Sequence, residues 1–388
     1  MKTVQRLFCQ GLCLLLCLST GLGSLPAAAD PSPEEESSSA ARAYLLMEPS
    51  TGQVLAEENA DARLAPASLT KIMDLLLIME EMEAGRLRLE DTLTCSGYAK
   101  TMGGSEIWLE EGESMTVDDL LKALIVASAN DAAVVFAEAI SGSEDAFVQK
   151  MNQRATQLGL ANTHFTNCTG FDEEGHYTSA RDVALTTQAL LRYADQITPY
   201  STTWMDTLRG GETQLVNTNR LIRTYPGATG LKTGTTDAAG YCLCATATRD
   251  GMSLISVVMG CKTGPERFAQ SQSLLDQGFA QYTLYTPELP DTLSLSVRGG
   301  AQEQVEARLA SPAPQVIARQ QLPESRLELD LPDTVDAPVQ SEQTLGRLLL
   351  LSSQGQELAS WPLTAAEEVP ALSFLRAFAL LGQQMLSF

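Results

Sequence analysis

Apolar and polar positions along the chain change texture four times, and each change predicts a different kind of element. Residues 7–18 are almost continuously apolar, whereas 30–40 (DPSPEEESSSA) hold no large apolar side chain and read as a flexible linker. Residues 43–48 and 53–56 are short apolar runs around the turn 49–52, the pattern of strand, turn and strand. Residues 67–83 are rich in Leu, Ile and Met without internal Gly or Pro, which predicts a helix. A second helical run, 118–140, is broken by the polar residues 128–131, and a third follows residues 178–182 as far as 192. The texture then returns to strands at 230–236, 240–248 and 252–259, the last two joined by a turn at 249–251, before a helix over 265–282.

Strands, then helices, then strands predict an α+β fold with antiparallel pairing, not a parallel, doubly wound sheet. Beyond residue 287 short strands at 292–297, 315–318, 326–331, 346–351 and 357–361 predict a small all-β domain. The last segment, 371–388, predicts an amphipathic helix. Ser373, Arg376, Gln383, Gln384 and Ser387 fall on one arc, with Phe374, Phe378, Leu381, Met385 and Phe388 opposite. Such a tail suits either its own domain or a membrane interface. The expected organisation is therefore a leader at 1–29, a linker at 30–40, a main domain at 41–286, a β domain at 287–369 and a candidate anchor helix at 370–388.

Lys2 and Arg6 before the apolar run, and the small residues Ala27-Ala28-Ala29 after it, predict a secretory signal peptide and an exported protein. Among 388 residues, 26 Lys plus Arg face 48 Asp plus Glu, a net charge of −22. Nucleic acid is a poor partner for such a chain. Cleavage after Ala29 leaves Cys95, Cys168, Cys242, Cys244 and Cys261, an odd set that cannot form a complete disulfide framework. Cys242 and Cys244 share one face of a strand and read as small core residues; metal-ligand spacing is lacking, and no metal or other cofactor is expected.

Three polar groups in this sequence can do chemistry together. Ser68 and Lys71, three residues apart on one helix face, pair a hydroxyl with an amine that becomes a base once burial or a nearby cation lowers its pKa. The isolated spacing also describes a helix cap beside a solvated lysine. Ser128 and Asn130 interrupt an apolar helix, where unpaired polar side chains are costly; a bend with self-satisfied side chains is the alternative. Lys232, Thr233 and Gly234 on a strand, followed by Thr235, offer a cation, a hydroxyl and a place for a substrate backbone to approach. The second Lys-Thr-Gly, Lys262-Thr263-Gly264, lies between a strand and a helix ahead of Pro265 and is assigned no role. His164 and His176 are the only histidines and read as hydrogen-bonded loop residues.

Ser-x-x-Lys, Ser-x-Asn and Lys-Thr-Gly in this order form the set shared by class A β-lactamases and penicillin-binding proteins. With His164 to Gly170, His176 and Ser179 to Asp182 between them, the chain resembles the low-molecular-mass penicillin-binding proteins, the D-alanyl-D-alanine carboxypeptidases. Cys168 stands where that family usually has proline. The resemblance implies a β-lactamase/transpeptidase-like fold. It implies that Ser68 attacks the terminal D-Ala-D-Ala bond of a peptidoglycan stem peptide, with Lys71 as base. It further implies a relay through Ser128 and Asn130, an oxyanion held by the amides of Ser68 and Thr235, and a terminal carboxylate held by Lys232 and Thr233, with the charge of Lys232 depressing the pKa of Lys71. β-Lactams are the implied covalent inhibitors, and the extracytoplasmic membrane face or the cell-wall space the implied location. Two rivals share the motifs: a secreted β-lactamase, for which no Glu-x-x-Leu-Asn segment occurs between Ser128 and Lys232, and a non-catalytic wall-binding or β-lactam-sensing protein.

Overall fold

A computed structural model describes residues 41–289 and 293–374. Its central element is a five-stranded antiparallel sheet in the order Gln53–Glu58, Ala43–Glu48, Met252–Cys261, Gly240–Arg249, Ala228–Thr236. The first and last thirds of this region thus pair with one another, which makes the intervening helical segment an insertion over one face.

Alternation along the strands gives the sheet two buried faces. Leu45, Met47, Cys242, Cys244, Ile255 and Val257 point into a core built with the helices Lys71–Glu83, Asn130–Ser141, Glu144–Gln157 and Ala180–Leu190. Leu46, Leu243, Ala245, Leu254 and Val258 point the other way, against Leu274, Leu275 and Phe279 of helix Gly264–Gln281. Helix Lys71–Glu83 is buried at every position from Lys71 to Met79, as expected of a helix enclosed by others. Its lack of a polar face explains why the segment is apolar without a clear stripe.

The helical run expected over 118–140 is three pieces: helix Val117–Lys122, a π-type turn Ala123–Ala127, and helix Asn130–Ser141. Ser128 ends the turn in the left-handed region at φ 64°, which costs a non-glycine residue on the order of 1 kcal/mol. Helix Glu144–Gln157 and the hairpin Met205–Leu208/Thr213–Val216 were not expected from the sequence. All five described cysteines are free and buried.

A second sheet has six strands in the order Arg326–Asp330, Thr344–Leu351, Glu357–Ala365, Gln304–Leu309, Leu293–Arg298, Thr334–Asp336, with only the last pair parallel. Its own apolar clusters centre on Val305, Leu345 and Val369 and on Trp361, Leu348 and Leu363. Strand Gln315–Ala318 does not join this sheet but pairs with Tyr282–Tyr285, directly after the helix that covers the main sheet. Ala371 pairs with Gly300, and the Leu372 amide donates to the Gly299 carbonyl. The segment expected to be helical from residue 371 therefore begins extended. Most of that expected helix, 375–388, lies outside the described residues, as do the expected leader and linker at 1–40. No described helix is long and apolar enough to cross a membrane.

Candidate active site

The edge strand Ala228–Thr236 runs past a 3-10 turn, Ala67–Thr70, that leads directly into helix Lys71–Glu83. Gly234 permits the approach. A Cβ added there would lie 2.9 Å from Ala67 Cβ and 3.0 Å from both the Pro66 oxygen and the Ser68 amide nitrogen. From the other side Gly170, at φ 89°, closes on the same turn, where a Cβ would fall 2.0 Å from the Ala67 oxygen. Ala67 itself is held at φ 49°. Such outliers, clustered at one turn, mark a place where the fold holds backbone in a costly conformation.

Lys71 is completely buried, and its Nζ reaches Ser68 Oγ at 3.2 Å, Asn130 Oδ1 at 2.6 Å and the Thr169 carbonyl at 2.6 Å. Asn130 is fixed in turn: its amide donates to the Ser105 carbonyl at 2.7 Å and its Nδ2 to the Gly103 carbonyl at 2.8 Å. The neighbouring Asp131 accepts from the amides of Ile107 and Leu109, which pins the 103–109 loop over the site. Ser128 Oγ is buried and has no hydrogen-bond partner among the described residues, leaving one hydroxyl in the group able to give and take a proton.

Burial lowers the pKa of Lys71 to about 8, against opposing pulls from Asp74, Cys168 and Asp131. Of the two expected causes, burial is the dominant one. Lys232 is itself fully buried, and burial, with repulsion from Lys71 and Arg267, pushes its pKa well below the ordinary value. Among the described residues its Nζ donates only to the Thr233 carbonyl, at 3.3 Å, so this lysine has hydrogens left for an arriving anion. Thr233 Oγ1 donates to Thr218 Oγ1 at 2.7 Å. Thr235 is exposed, and its hydroxyl lies 3.0 Å from Arg267 Nη1.

The structure thus gathers Ser68, Lys71 and Asn130 by direct contact, brings Gly234 against the Ser68 amide, and sets Thr233 and Thr235 on either side of it. The sequence reading missed the Thr169 carbonyl, the close approach at Gly170, and Arg267, whose Nη1 also donates to the Gly234 carbonyl at 3.0 Å. It also missed a buried chain behind the nucleophile. The Thr166 amide donates to His176 Nδ1 at 3.0 Å, so the ring proton sits on Nε2 and reaches Thr70 Oγ1 at 2.9 Å, which donates to the Ala67 carbonyl at 2.8 Å. His164, the other histidine, contacts the Gly175 carbonyl through Nδ1. Thr263 of the second Lys-Thr-Gly caps helix Gly264–Gln281 in a reciprocal box with Glu266.

Residues 29–263 match the model of a peptidase family described as D-alanyl-D-alanine carboxypeptidase. The chain belongs to this family. It is 43% identical over 341 residues to the D-alanyl-D-alanine carboxypeptidase DacF of Bacillus subtilis (strain 168), covering 86% of this chain and 87% of that one. DacC of Escherichia coli (strain K12) is 35% identical over 339 residues, 85% of this chain and 84% of the relative. Among solved structures, penicillin binding protein 5 from Haemophilus influenzae superposes with a TM-score of 0.75 at 30% identity, over 85% of this chain and 98% of that one. The carboxypeptidase DacD from Francisella tularensis gives 0.71 at 27% identity, over 90% and 97%. The family's match spans both the sheet and its helical insertion, and the structural matches bear out the α+β fold with antiparallel sheets flanked by helices.

Proposed function

We propose that the protein, as a D-Ala-D-Ala carboxypeptidase and β-lactam-binding member of this family, works through an ester on Ser68. The observation that carries this reading is the contact between Lys71 Nζ and Ser68 Oγ, made while Asn130 and Thr169 take the other two hydrogen-bonding directions of the amine. A neutral lysine in that setting donates to two fixed acceptors and turns its lone pair to the serine hydroxyl. Ser68 Oγ then bonds to the carbonyl carbon of the penultimate D-alanine while its proton passes to Lys71. The amides of Ser68 and Thr235 stabilise the oxyanion. As the C–N bond breaks, the proton reaches the leaving amine through the Ser128 hydroxyl, with Asn130 orienting the substrate amide. Water then hydrolyses the ester, which returns the hydroxyl to Ser68.

Lys232 and Thr233 take the terminal carboxylate. Burial lowers the pKa of Lys232, and an arriving carboxylate favours its charged form. A β-lactam presents a comparable carboxylate beside a reactive carbonyl and acylates the same serine.

The protein is exported. We place it at the outer face of the cytoplasmic membrane or in the cell-wall space, with residues 1–29 as signal peptide, 41–286 as peptidase, 287–369 as a β domain and 370–388 as the membrane-interface segment. The amphipathic pattern of the tail supports that last assignment, and liposome flotation with and without residues 371–388 tests it: equal flotation would remove it.

Incubation with a penicillin followed by peptide mass spectrometry tests the nucleophile. A single adduct on the peptide holding Ser68, lost in a folded Ser68→Ala variant, is expected. An adduct elsewhere, or none in folded wild-type protein, would contradict the assignment.

A further inference from the structure

The peptide unit that joins Ala67 to Ser68 carries two groups of interest. Its N–H is the Ser68 donor assigned above to the oxyanion, and its carbonyl is the Ala67 oxygen on which Gly170 closes. This bond is trans, and a trans peptide is planar, so its carbonyl and its N–H point in opposite directions and turn together. Whatever grips the Ala67 oxygen therefore aims the Ser68 amide. Local backbone preference does not do so unaided, because Ala67 sits at φ 49°, a left-handed value that alanine rarely adopts, and the turn it opens has no side-chain cap.

The grip comes from side chains distant in sequence. Thr70 Oγ1 donates to the Ala67 oxygen at 2.8 Å and lies 2.9 Å from His176 Nε2. The Thr166 amide donates to His176 Nδ1 at 3.0 Å, which leaves the ring proton on Nε2. Thr70 must accept that proton, and since a hydroxyl has only one hydrogen of its own, that hydrogen is free to go to Ala67. Each donor in the series is thus given a single direction, from the Thr166 amide through the imidazole and the hydroxyl to the Ala67 carbonyl. The series is closed to water: Thr70 is 1% and His176 5% exposed, and the Phe165 ring lies 5.9 Å from the imidazole. In such surroundings successive hydrogen bonds polarise one another. Electron density drawn toward the Ala67 oxygen makes the N–H of the same peptide a stronger donor. Among the described residues the series shares no hydrogen bond with Ser68 Oγ or Lys71 Nζ, so it stands apart from the path of the proton.

We propose that His176 and Thr70 are positioning residues of the oxyanion site, fixing the peptide between Ala67 and Ser68 so that its N–H points at the carbonyl oxygen under attack. The inference rests on the Ser68 ester of the preceding section and changes neither its reagents nor its proton transfers. It gives the series control over the two steps in which an oxyanion develops, formation of the ester and its hydrolysis. Affinity for the substrate, which Lys232 and Thr233 supply, lies outside that control.

The test uses full-length mature protein, a penicillin, and the variants Thr70→Val, Thr70→Ser, His176→Asn and His176→Gln. Valine keeps the branched shape without the hydroxyl, and serine keeps the hydroxyl. Asparagine reaches only the place of Nδ1, whereas glutamine brings an amide N–H toward the place of Nε2 and so retains a donor for Thr70. Stopped-flow fluorescence separates the dissociation constant of the penicillin from its acylation rate constant, and the number of acylated sites normalises the rate. Infrared difference spectra of the acyl-enzyme read the hydrogen bonds on the ester carbonyl, because losing them raises its stretching frequency. Thr70→Val is expected to acylate about tenfold or more slowly per active site. Its dissociation constant should stay within about twofold of wild type, and its ester carbonyl should stretch at higher frequency. His176→Asn should move rate and frequency in the same direction, with Thr70→Ser and His176→Gln each nearer to wild type than its partner variant. A wild-type rate per site or a wild-type frequency in folded Thr70→Val would overturn the proposal. A loss confined to binding, or one that Thr70→Ser shares in full, would also overturn it, as the mark of a packing defect. Should Thr70→Val not fold, the two His176 variants decide by the same criteria. Failure of folded wild type to form an ester on Ser68 would overturn the Ser68 reading and this inference with it, whereas an ester in wild type with unaffected variants overturns this inference alone.

Discussion

If neutral Lys71 is the base that activates Ser68, the rate of acylation must follow the fraction of Lys71 that has lost its proton. Burial sets its pKa at about 8, so ~10% of the enzyme is competent at pH 7 and ~90% at pH 9. The second-order rate of reaction with a penicillin that does not itself titrate above pH 5 should therefore rise roughly eight- to tenfold across those two units. The titration can be moved on purpose through Asp74. This residue lies three positions beyond Lys71 on the same helix, is fully buried, and has no hydrogen-bond partner for either carboxyl oxygen among the described residues. It shares its surroundings with Lys71, Cys168, Glu144 and Lys232. Its negative charge raises the pKa of Lys71. Unit charges at about 6 Å, the spacing of such helical neighbours, interact by about 2–3 kcal/mol at an effective dielectric of about 20. That is an upper limit of about two pH units. Burial holds the Asp74 carboxyl well above the usual carboxylate range. For Asp74→Asn the acidic limb is expected to move toward lower pH by no more than that limit, with faster acylation at pH 7. Stopped-flow fluorescence from pH 5 to 10 reads both profiles. A wild-type limb centred near 10, or none between 7 and 9, would refute the neutral-lysine base. An unmoved limb in folded Asp74→Asn would refute the coupling, because a merely structural defect scales the profile without displacing it.

Two further expectations follow from geometry. Gly234→Ala adds a Cβ closer than ordinary contact to Ala67 Cβ, the Pro66 oxygen and the Ser68 amide, so the strand must shift by a fraction of an ångström. A loss of about 10- to 100-fold in kcat/KM is expected with at most about 1–3 kcal/mol of stability; near wild-type turnover would contradict the role of this approach. His176 is buried, and its pKa is lowered from 6.5 to about 4. Because the folded value is depressed, the stability it contributes is complete above pH 6.5 and is lost as the pH falls through 4, amounting to about 3 kcal/mol at most. Urea unfolding from pH 7 to 4 should therefore be flatter for His176→Gln than for wild type, and parallel curves would contradict it.

What the sequence disclosed were the groups whose chemistry depends on residue type. Ser68 and Lys71 are visible through their spacing, Ser128 and Asn130 through the break they make in an apolar helix, and Lys232 to Thr235 through a polar strand end. What it concealed were contacts made by backbone and by distant side chains. The Thr169 carbonyl carries no side-chain signature, and Gly170 looks like any turn glycine until the Ala67 oxygen is found beneath it. Arg267 reads as one polar position in an amphipathic helix, although three dimensions bring it to the Gly234 carbonyl. Helix Glu144–Gln157 was missed because its buried residues, Phe147, Val148, Met151 and Ala155, are diluted by polar ones, although Ser143 caps it. For Lys71 both burial and a nearby cation were foreseeable causes of a lowered pKa, but not their relative weight. Spacing locates a second cation but gives no measure of burial, and burial is the larger influence on both lysines.

The most direct measurement is D-alanine release from a peptide ending in D-Ala-D-Ala, with mature wild-type protein and its Ser68→Ala variant compared at pH 8. The account predicts release by the wild type and none above background by the variant, with both proteins folded. Release by both, or by neither, would contradict it.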